Sequence, residues 1–481
     1  MIQHGISVLE AATSIRPPVT ATAAMPVFFG TAPVHRSGNP SAAVNRPIVC
    51  FSFADAVAAL GYSDDWEKFT LCEAMFRQFR EYAVAPVVFV NVFDSETGRV
   101  AVAPTDKPVI DGKVEIADEL ADISTLVVRA EAASSPAVIE EDYTAEYMSG
   151  GLRIRVTSDG TLASATSINV AFSTVAISAV TDADILGGVD AATGRRTGIE
   201  LVEDVFPMTR LVPGILAAPG WKNSLKVSHA LVAKARRING LFRAIAVVDV
   251  PDSAGATLND VPLWKEQSGL TSPHCILCWP RVTLGDRTWH MSTEITGLLG
   301  RTDFSVGDVP YASPSNRNMG ISGLSWRGAP MVFAQPQANY LNSVGIMTAL
   351  NWTQGWVAWG NYTTAYPSTT DPKDMWIPVR RMFNWVANFI ILTYWSRISL
   401  PIRRVLIDDI VDSMNDKFHG LESMGALLGG RIEFPPELNT DTSIMSGKIT
   451  FRVFICPPTP AQEISFIMEY DPEYLSTLFG A

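Results

Sequence analysis

"EKFTLCEAMFRQFREYAVAPVVFVNVF" (residues 67–93) holds two different periods back to back. From Glu67 to Tyr82 the apolar residues Phe69, Leu71, Met75, Phe76 and Phe79 recur at the spacing of one helix face. From Ala85 to Phe93 the run is almost continuously apolar, as in a strand buried on both faces. A helix leading into a doubly buried strand is half of a β–α–β unit. The stretch therefore predicts a parallel or mixed sheet covered by helices.

The same grammar lies on either side. "MPVFFGTAP" (25–33) is a short apolar strand broken by Gly and Pro, and "PIVCFSFADAVAALGY" (47–62) reads as strand, turn and short helix. The pattern returns at "LVPGILAAPG" (211–220). A helix from Asn223 to Asn239 follows with Leu225, Val227, Leu231, Val232 and Ala235 inward, and then the strand "FRAIAVVDVPD" (242–252). Between these halves, from Asp94 to Val205, the chain turns Ala-, Thr- and Ser-rich and acidic. Alternating pieces such as "GLRIRVTSDGTL" and "INVAFSTVAISAV" predict an inserted β-rich domain there.

The last third changes again. "PVRRMFNWVANFIILTYWSRI" (378–398) and "PIRRVLIDDIVDSMNDKFHG" (401–420) read as two helices. The second carries Ile407, Ile410, Val411, Met414 and Phe418 on one side, with Gly420 placed to stop it. "SGKITFRVFICPP" (446–458) alternates as a strand, with Ile449, Phe451, Val453 and Ile455 on one face. "QEISFIMEYDP" (462–472) does so again through Ile464, Phe466, Met468 and Tyr470. At the other end Ile6, Val8 and Leu9 form a strand closed by Arg16-Pro17-Pro18. Neither terminal strand has a pairing partner nearby in sequence. The expected class is α/β and α+β multidomain. A mixed-sheet α/β core (25–93 and 206–350) is interrupted by the β-rich insertion (94–205) and followed by a C-terminal α+β domain (351–460), with terminal arms at 1–24 and 461–481.

Composition narrows the function. Only 18% of the 481 residues are charged and 47% are hydrophobic, with mean hydropathy +0.16, which predicts large cores or contacts between subunits. The most apolar stretch, Phe383 to Trp395, is too short to span a bilayer and carries two Asn, so no membrane insertion is expected. The start lacks a signal-peptide pattern, which predicts a soluble protein made in the cytosol. A net charge of −12 argues against nucleic acid as a partner. Five cysteines in so long a chain do not make a disulfide framework.

Motifs for chemistry are sparse. The sequence contains neither G-x-S-x-G nor H-E-x-x-H, and "GGVDAATGRRTG" (187–198) has misspaced glycines for a phosphate loop and reads as a polar turn. His274, Cys275 and Cys278 in "HCILC" resemble half a metal or redox site, but no second Cys pair completes it and the segment reads as a buried strand. Asp408, Asp412 and Asp416 lie at i, i+4 spacing on one helix face, with Arg404 able to neutralise Asp408. No catalytic residue, metal or cofactor is expected.

In order along nearly the whole chain, several stretches resemble the tail sheath proteins of contractile bacteriophages and related injection machines. "FADAVAALGY", "TLCEAMFRQF" and "APVVFVNVF" resemble the family's first core segment, and "DILGGVDAATGRRTGIELV" the return from its outer domain. "LVPGILAAPGW" with "FRAIAVVDVPD" resembles its central α/β unit, and "ITGLLGRTDFSVGDVPYASPSNRNMGISGL" the glycine-rich approach to a Pro-and-Asn pair. "GWVAWGNYTTA" followed by "WIPVRRMFNWV" is the most specific match, and "SGKITFRVFICPPTPAQEISFIMEY" resembles the closing strands.

The resemblance implies a helical homo-oligomer of six-fold rings around an inner tail tube protein, with baseplate and tail terminator proteins as further partners. It implies a virion tail assembled in the bacterial host cytoplasm. It also implies that each subunit lends its arms to neighbours, whose C-terminal sheets accept them as strands. Ile6, Val8 and Leu9 would then pair beside a neighbour's Ile449–Ile455, and Ile464, Phe466, Met468 and Tyr470 would complete the same kind of sheet on another neighbour. The tract 11–26 would serve as hinge. The helix with Arg403, Arg404, Asp408, Asp412 and Asp416 becomes a candidate to face the tube, with helix 379–396 its competitor. The alternative is an α/β oxidoreductase or hydrolase with a β insertion, which leaves both terminal strands without a purpose.

Overall fold

The computed structural model describes residues 23–479. Ile6, Val8, Leu9 and the tract 11–22 lie outside the described residues. The chain enters the fold on β1 (Pro26–Gly30), followed by β2 (Pro47–Cys50), α1 (Phe53–Leu60), α2 (Thr70–Phe76) and β3 (Val87–Asn91). A π-helical turn, Arg77–Glu81, extends α2, so the helix read from Glu67 begins three residues late. Every residue of β1 and β3 is buried, as the continuous apolar runs require.

The insertion is β-rich, as its texture predicts. Strands β4 (Val100–Pro108), β5 (Lys113–Ile116), β6 (Ala121–Arg129), β7 (Tyr143–Met148), β8 (Gly151–Val156) and β9 (Ser167–Thr174) form two three-stranded sheets. They enclose their own cluster around Ile116, Leu152, Ile154 and Ile168. The segment 187–198 is a polar hairpin turn in which Asp190 accepts from the amides of Ala192 and Thr193.

The core then resumes with β10 (Ile215–Ala217), α3 (Leu225–Arg236), β11 (Ile245–Asp249) and β12 (Cys275–Cys278). A four-stranded antiparallel sheet follows, made of β13 (Arg281–Leu284), β14 (Arg287–Trp289), β15 (Gly323–Trp326) and β16 (Ala329–Met331), with α4 (Met291–Ser305) between its second and third strands. Strands β17 (Ile346–Trp352) and β18 (Gly355–Trp359) end the core. The central sheet has the order β2-β3-β1-β10-β11-β12-β17-β18, parallel except at its two outermost pairs. Its last strand lies beyond the boundary expected at 351. The physical reason is a tight hairpin, Trp352 opposite Gly355, that carries the chain straight back along β17.

The C-terminal part packs a second core. Helices α5 (Ile377–Tyr394) and α6 (Arg404–Ser423) join β19 (Gly429–Glu433) and β20 (Arg452–Cys456) around Met382, Trp385, Phe389, Met414, Phe418 and Leu421. The apolar face of α6 reads as expected, but Gly420 does not end it. Leu421, one turn beyond Phe418, is buried, so the stripe carries the helix to Ser423, and the chain reverses at Gly425, where φ is +75°. Two other expectations also need correction. Ala24 and Met25 are buried against the central sheet, so the hinge expected at 11–26 cannot extend past residue 23. The strand expected over 446–458 is confined to β20, because the Asn439 side chain grips both the amide and the carbonyl of Thr450 at 2.7 Å and holds Ile449–Thr450 in a loop.

A candidate assembly site at the C-terminal sheet

A two-stranded sheet alone is marginal in water. Here α6 supports it on two sides. The β19 side chains that face the helix meet Phe418, so closely that a Cβ on Gly430 would lie 3.0 Å from its ring. In the plane of the sheet, Gly430 N donates to Glu422 Oε1 at 2.7 Å and Ile432 N donates to Asn415 Oδ1 at 3.0 Å. Asn415 and Glu422 are seven residues apart, hence on one helix face. That spacing was the available signal, and the sequence reading missed it.

These two bonds fix which edge is open. In an antiparallel pair the main-chain groups of successive residues point alternately toward and away from the partner strand. With the Gly430 and Ile432 amides turned to α6, Gly429, Arg431 and Glu433 face β20, opposite Cys456, Phe454 and Arg452. The outer edge of β19 is therefore closed by helix side chains. The main-chain groups of Val453 and Ile455 point outward from β20.

Side chains agree with this edge. Phe451, Val453 and Ile455 lie on the face toward the second core but stay half-buried, since nothing among the described residues covers their outer side. On the opposite face the Arg431 guanidinium lies 4.1 Å from the Phe454 ring centroid. Pro457 is buried and ends the strand.

The chain then leaves the fold. Residues 457–471 carry no helix or strand. Ile464, Phe466, Met468 and Tyr470 are 70, 85, 93 and 77% exposed, and Ile467 is 90% exposed. These apolar side chains are exposed and form no strand among the described residues.

The other expected residues are dispersed. Arg403 is the N-cap of α6, Arg404 pairs with Asp408 at 2.9 Å, and Asp412 and Asp416 stand exposed on the same solvent face. The competitor helix, α5, is buried from Ile377 through most of its length to Phe389. Of the two, only α6 presents a long free face. Cys275 and Cys278 both lie on β12, three residues apart and thus on opposite faces, and His274 Nδ1 is within 3.0 Å of the Ala244 carbonyl.

A titratable group marks the junction where the N-terminal segment enters. Ala23 N donates to Asp308 Oδ1 at 3.3 Å. The Asp308 carboxyl is pushed up to about 6 by burial, with the nearby Asp303 adding to it. A carboxyl raised on folding favours the folded chain most when protonated, and that contribution is lost as pH climbs from about 4 through about 6. Asp308→Asn keeps the acceptor for Ala23 and removes the charge. It is expected to raise the thermal midpoint at about pH 7.5, with the gain vanishing below about pH 4, as differential scanning fluorimetry across pH would record.

No protein-family model matches the chain. The chain is 28% identical to the tail sheath protein of Burkholderia phage BcepMu over 495 aligned residues, covering 99% of this chain and 98% of that one. It is 24% identical to the tail sheath protein of Escherichia phage P2 over 308 residues, covering 62% and 74% respectively. Its fold is similar to that in the structure of the anti-feeding prophage helical sheath in the contracted state, with a TM-score of 0.60, 15% identity, and 97% and 99% of the two chains covered.

Proposed function

We propose that the chain is a structural subunit of the contractile tail sheath family, supported by its 28% identity to a phage tail sheath protein over 99% of its length, and that it polymerises in stacked six-fold rings around an inner tube and contracts to drive that tube through a target-cell envelope. The observation that carries the assembly mechanism is a complementary pair within one chain. The chain carries both an open, half-covered strand edge at Val453 and Ile455 and an exposed apolar segment, 464–470, that pairs with no strand among the described residues. A terminal segment of one copy adds to the edge of β20 in another, with main-chain bonds giving affinity and alternate side chains giving register.

Because α6 closes the β19 edge, the sheet grows in one direction only. The first incoming strand lies beside β20 and the second lies beside the first. Ile6, Val8 and Leu9 from one neighbour, and Ile464, Phe466, Met468 and Tyr470 from another, supply the two strands. Each main-chain bond contributes about 0.5–1.5 kcal/mol net, so a single graft is modest. A lattice that repeats it at every subunit is not.

Contraction on this account uses no cofactor and no catalytic residue. Its free energy is the difference between an extended, tube-bound lattice and a denser one with more contact between subunits. The exposed face of α6, with Arg403, Arg404, Asp408, Asp412 and Asp416, is the proposed tube contact. The tube, baseplate and terminator proteins are the proposed partners, in a virion tail put together in the host cytoplasm.

Proline at an outward-facing edge position removes no hydrogen bond within the chain itself. Val453→Pro is therefore expected to leave the melting curve nearly unchanged and to abolish tubes and ring stacks in electron micrographs. Unimpaired assembly of the folded variant would rule out strand addition at this edge.

A further inference from the structure

The two faces of β20 differ in chemistry. Phe451, Val453 and Ile455 turn toward the second core, so Arg452, Phe454 and Cys456 turn away from it. Arg452 stands opposite Glu433 on β19, with its guanidinium 3.8 Å from Glu437. Residues 463–471 divide in the same way. Ile464, Phe466, Met468 and Tyr470 alternate with Glu463, Ser465, Ile467, Glu469 and Asp471.

A strand added to β20 must lay its apolar row over the second core, because a slip of one residue turns that row to solvent. The registers left differ by steps of two, and the outer face decides among them. In an antiparallel strand with Met468 opposite Val453, Phe466 meets Ile455 and Tyr470 meets Phe451. On the outer face Glu469 then faces Arg452, Ile467 faces Phe454 and Ser465 faces Cys456, which pairs charge with charge and apolar with apolar. One step one way sets Ile467 against Arg452 and Ser465 against Phe454. One step the other way gives Arg452 to Asp471 but sets Glu469 against Phe454 and Pro472 against Phe451. A parallel strand that covers Phe451, Val453 and Ile455 with apolar partners puts Ser465 or Ile467 opposite Arg452.

We propose that the strand directly beside β20 is segment 464–470 of a second copy, antiparallel, with Met468 opposite Val453 and Glu469 opposite Arg452. The proposal rests on the strand-addition reading above and fixes its order, direction and register, leaving the N-terminal strand one place further out. Since Val453 and Ile455 turn their main chain outward, Met468 and Phe466 make the hydrogen-bonded pairs. Arg452–Glu469 and Cys456–Ser465 are then the closer, non-hydrogen-bonded pairs, with Cα atoms about 4.5 Å apart. Pro457, Pro458 and Pro460 hold the connection after β20 extended, which sends the segment to another sheet instead of back along its own.

Cys456 supplies the probe, being exposed while the other four cysteines are buried. Glu463→Cys, Ser465→Cys, Ile467→Cys and Glu469→Cys are made singly in the full chain, assembled, oxidised with copper phenanthroline and run on non-reducing gels. Ser465→Cys is expected to link subunits into covalent multimers on the order of tenfold more than the others, because a step of two residues adds roughly 7 Å and leaves disulfide reach. Stronger linking from 463, 467 or 469 would overturn the register while leaving a strand at this edge. Tubes that link from none of the four positions would overturn strand addition by this segment at β20, and the register with it. A bond closed within one chain would place the segment on its own sheet and overturn the proposal as well. Arg452→Glu is independently expected to abolish tubes in a folded chain, and adding Glu469→Arg to restore them. Failure of that restoration would overturn the Arg452–Glu469 pair.

Discussion

A chain ending at Pro458 is expected to fold as the full chain does and to form no tubes at any concentration. None of the described residues removed belongs to the three buried clusters, and Phe466, Ile467 and Met468 are 85, 90 and 93% exposed. Circular dichroism and the thermal midpoint should therefore be nearly unchanged. The effect falls on association, where each lost graft removes several main-chain bonds and up to four apolar anchors, each worth about 1.5–3 kcal/mol when fully buried. Deleting residues 1–18 should act in the same direction. Persistent tubes from the Pro458 chain would mean that the C-terminal segment is not a structural link.

The largest expected loss of stability lies elsewhere, at a charge buried under α4. Glu294 is fully buried and accepts from Arg77 Nε and Nη2 at 2.9 Å, from Trp289 Nε1 at 3.1 Å and from the Tyr82 hydroxyl. The Arg77 guanidinium also lies 4.4 Å from the Trp289 ring centroid. Arg77→Met leaves the carboxylate in the core without its counter-charge, and such a loss destabilises by about 3–5 kcal/mol. Adding Glu294→Leu should recover part of that, because removing both partners relieves the stranded charge. Urea unfolding of the two single variants and the double variant measures the coupling. Additive losses would show that the pair does not act as a unit. The network ties the turn after α2 to α4, and so joins two halves of the core that lie more than two hundred residues apart.

Much of the architecture follows from periodicity. The doubly buried strands β3 and β11, the inward face of α3 and the stripe of α6 are all visible as spacing, because burial selects apolar residues at fixed intervals. Strand order and direction are not. Nothing in "PIVC" or "GWVAW" says that β2 and β18 run antiparallel at the two rims, since pairing is decided by turns and packing rather than by composition. β19 escaped notice because "GGRIE" buries only Ile432 and shows no alternation. The Glu294 cluster was equally hidden, because a glutamate in sequence looks the same whether it faces water or an arginine.

The candidate site was legible in one half. Val453 and Ile455 lie on the strand and face that alternation predicts, and the apolar series 464–470 stands out in the sequence. What could not be read was which edge is open. That depends on Asn415 and Glu422 capping β19, a contact between helix side chains and strand amides that leaves no pattern in composition. A structure in which both edges were free would place no restriction on where the strands add.

A cryo-electron microscopy reconstruction of the assembled sheath, at a resolution that traces main chain, tests the central claim most directly. The predicted result is a strand from another copy lying beside β20, hydrogen-bonded to the main chain of Val453 and Ile455, with β19 still capped by α6. Density showing the β20 edge facing solvent, or filled by residues 462–470 of its own chain, would contradict it.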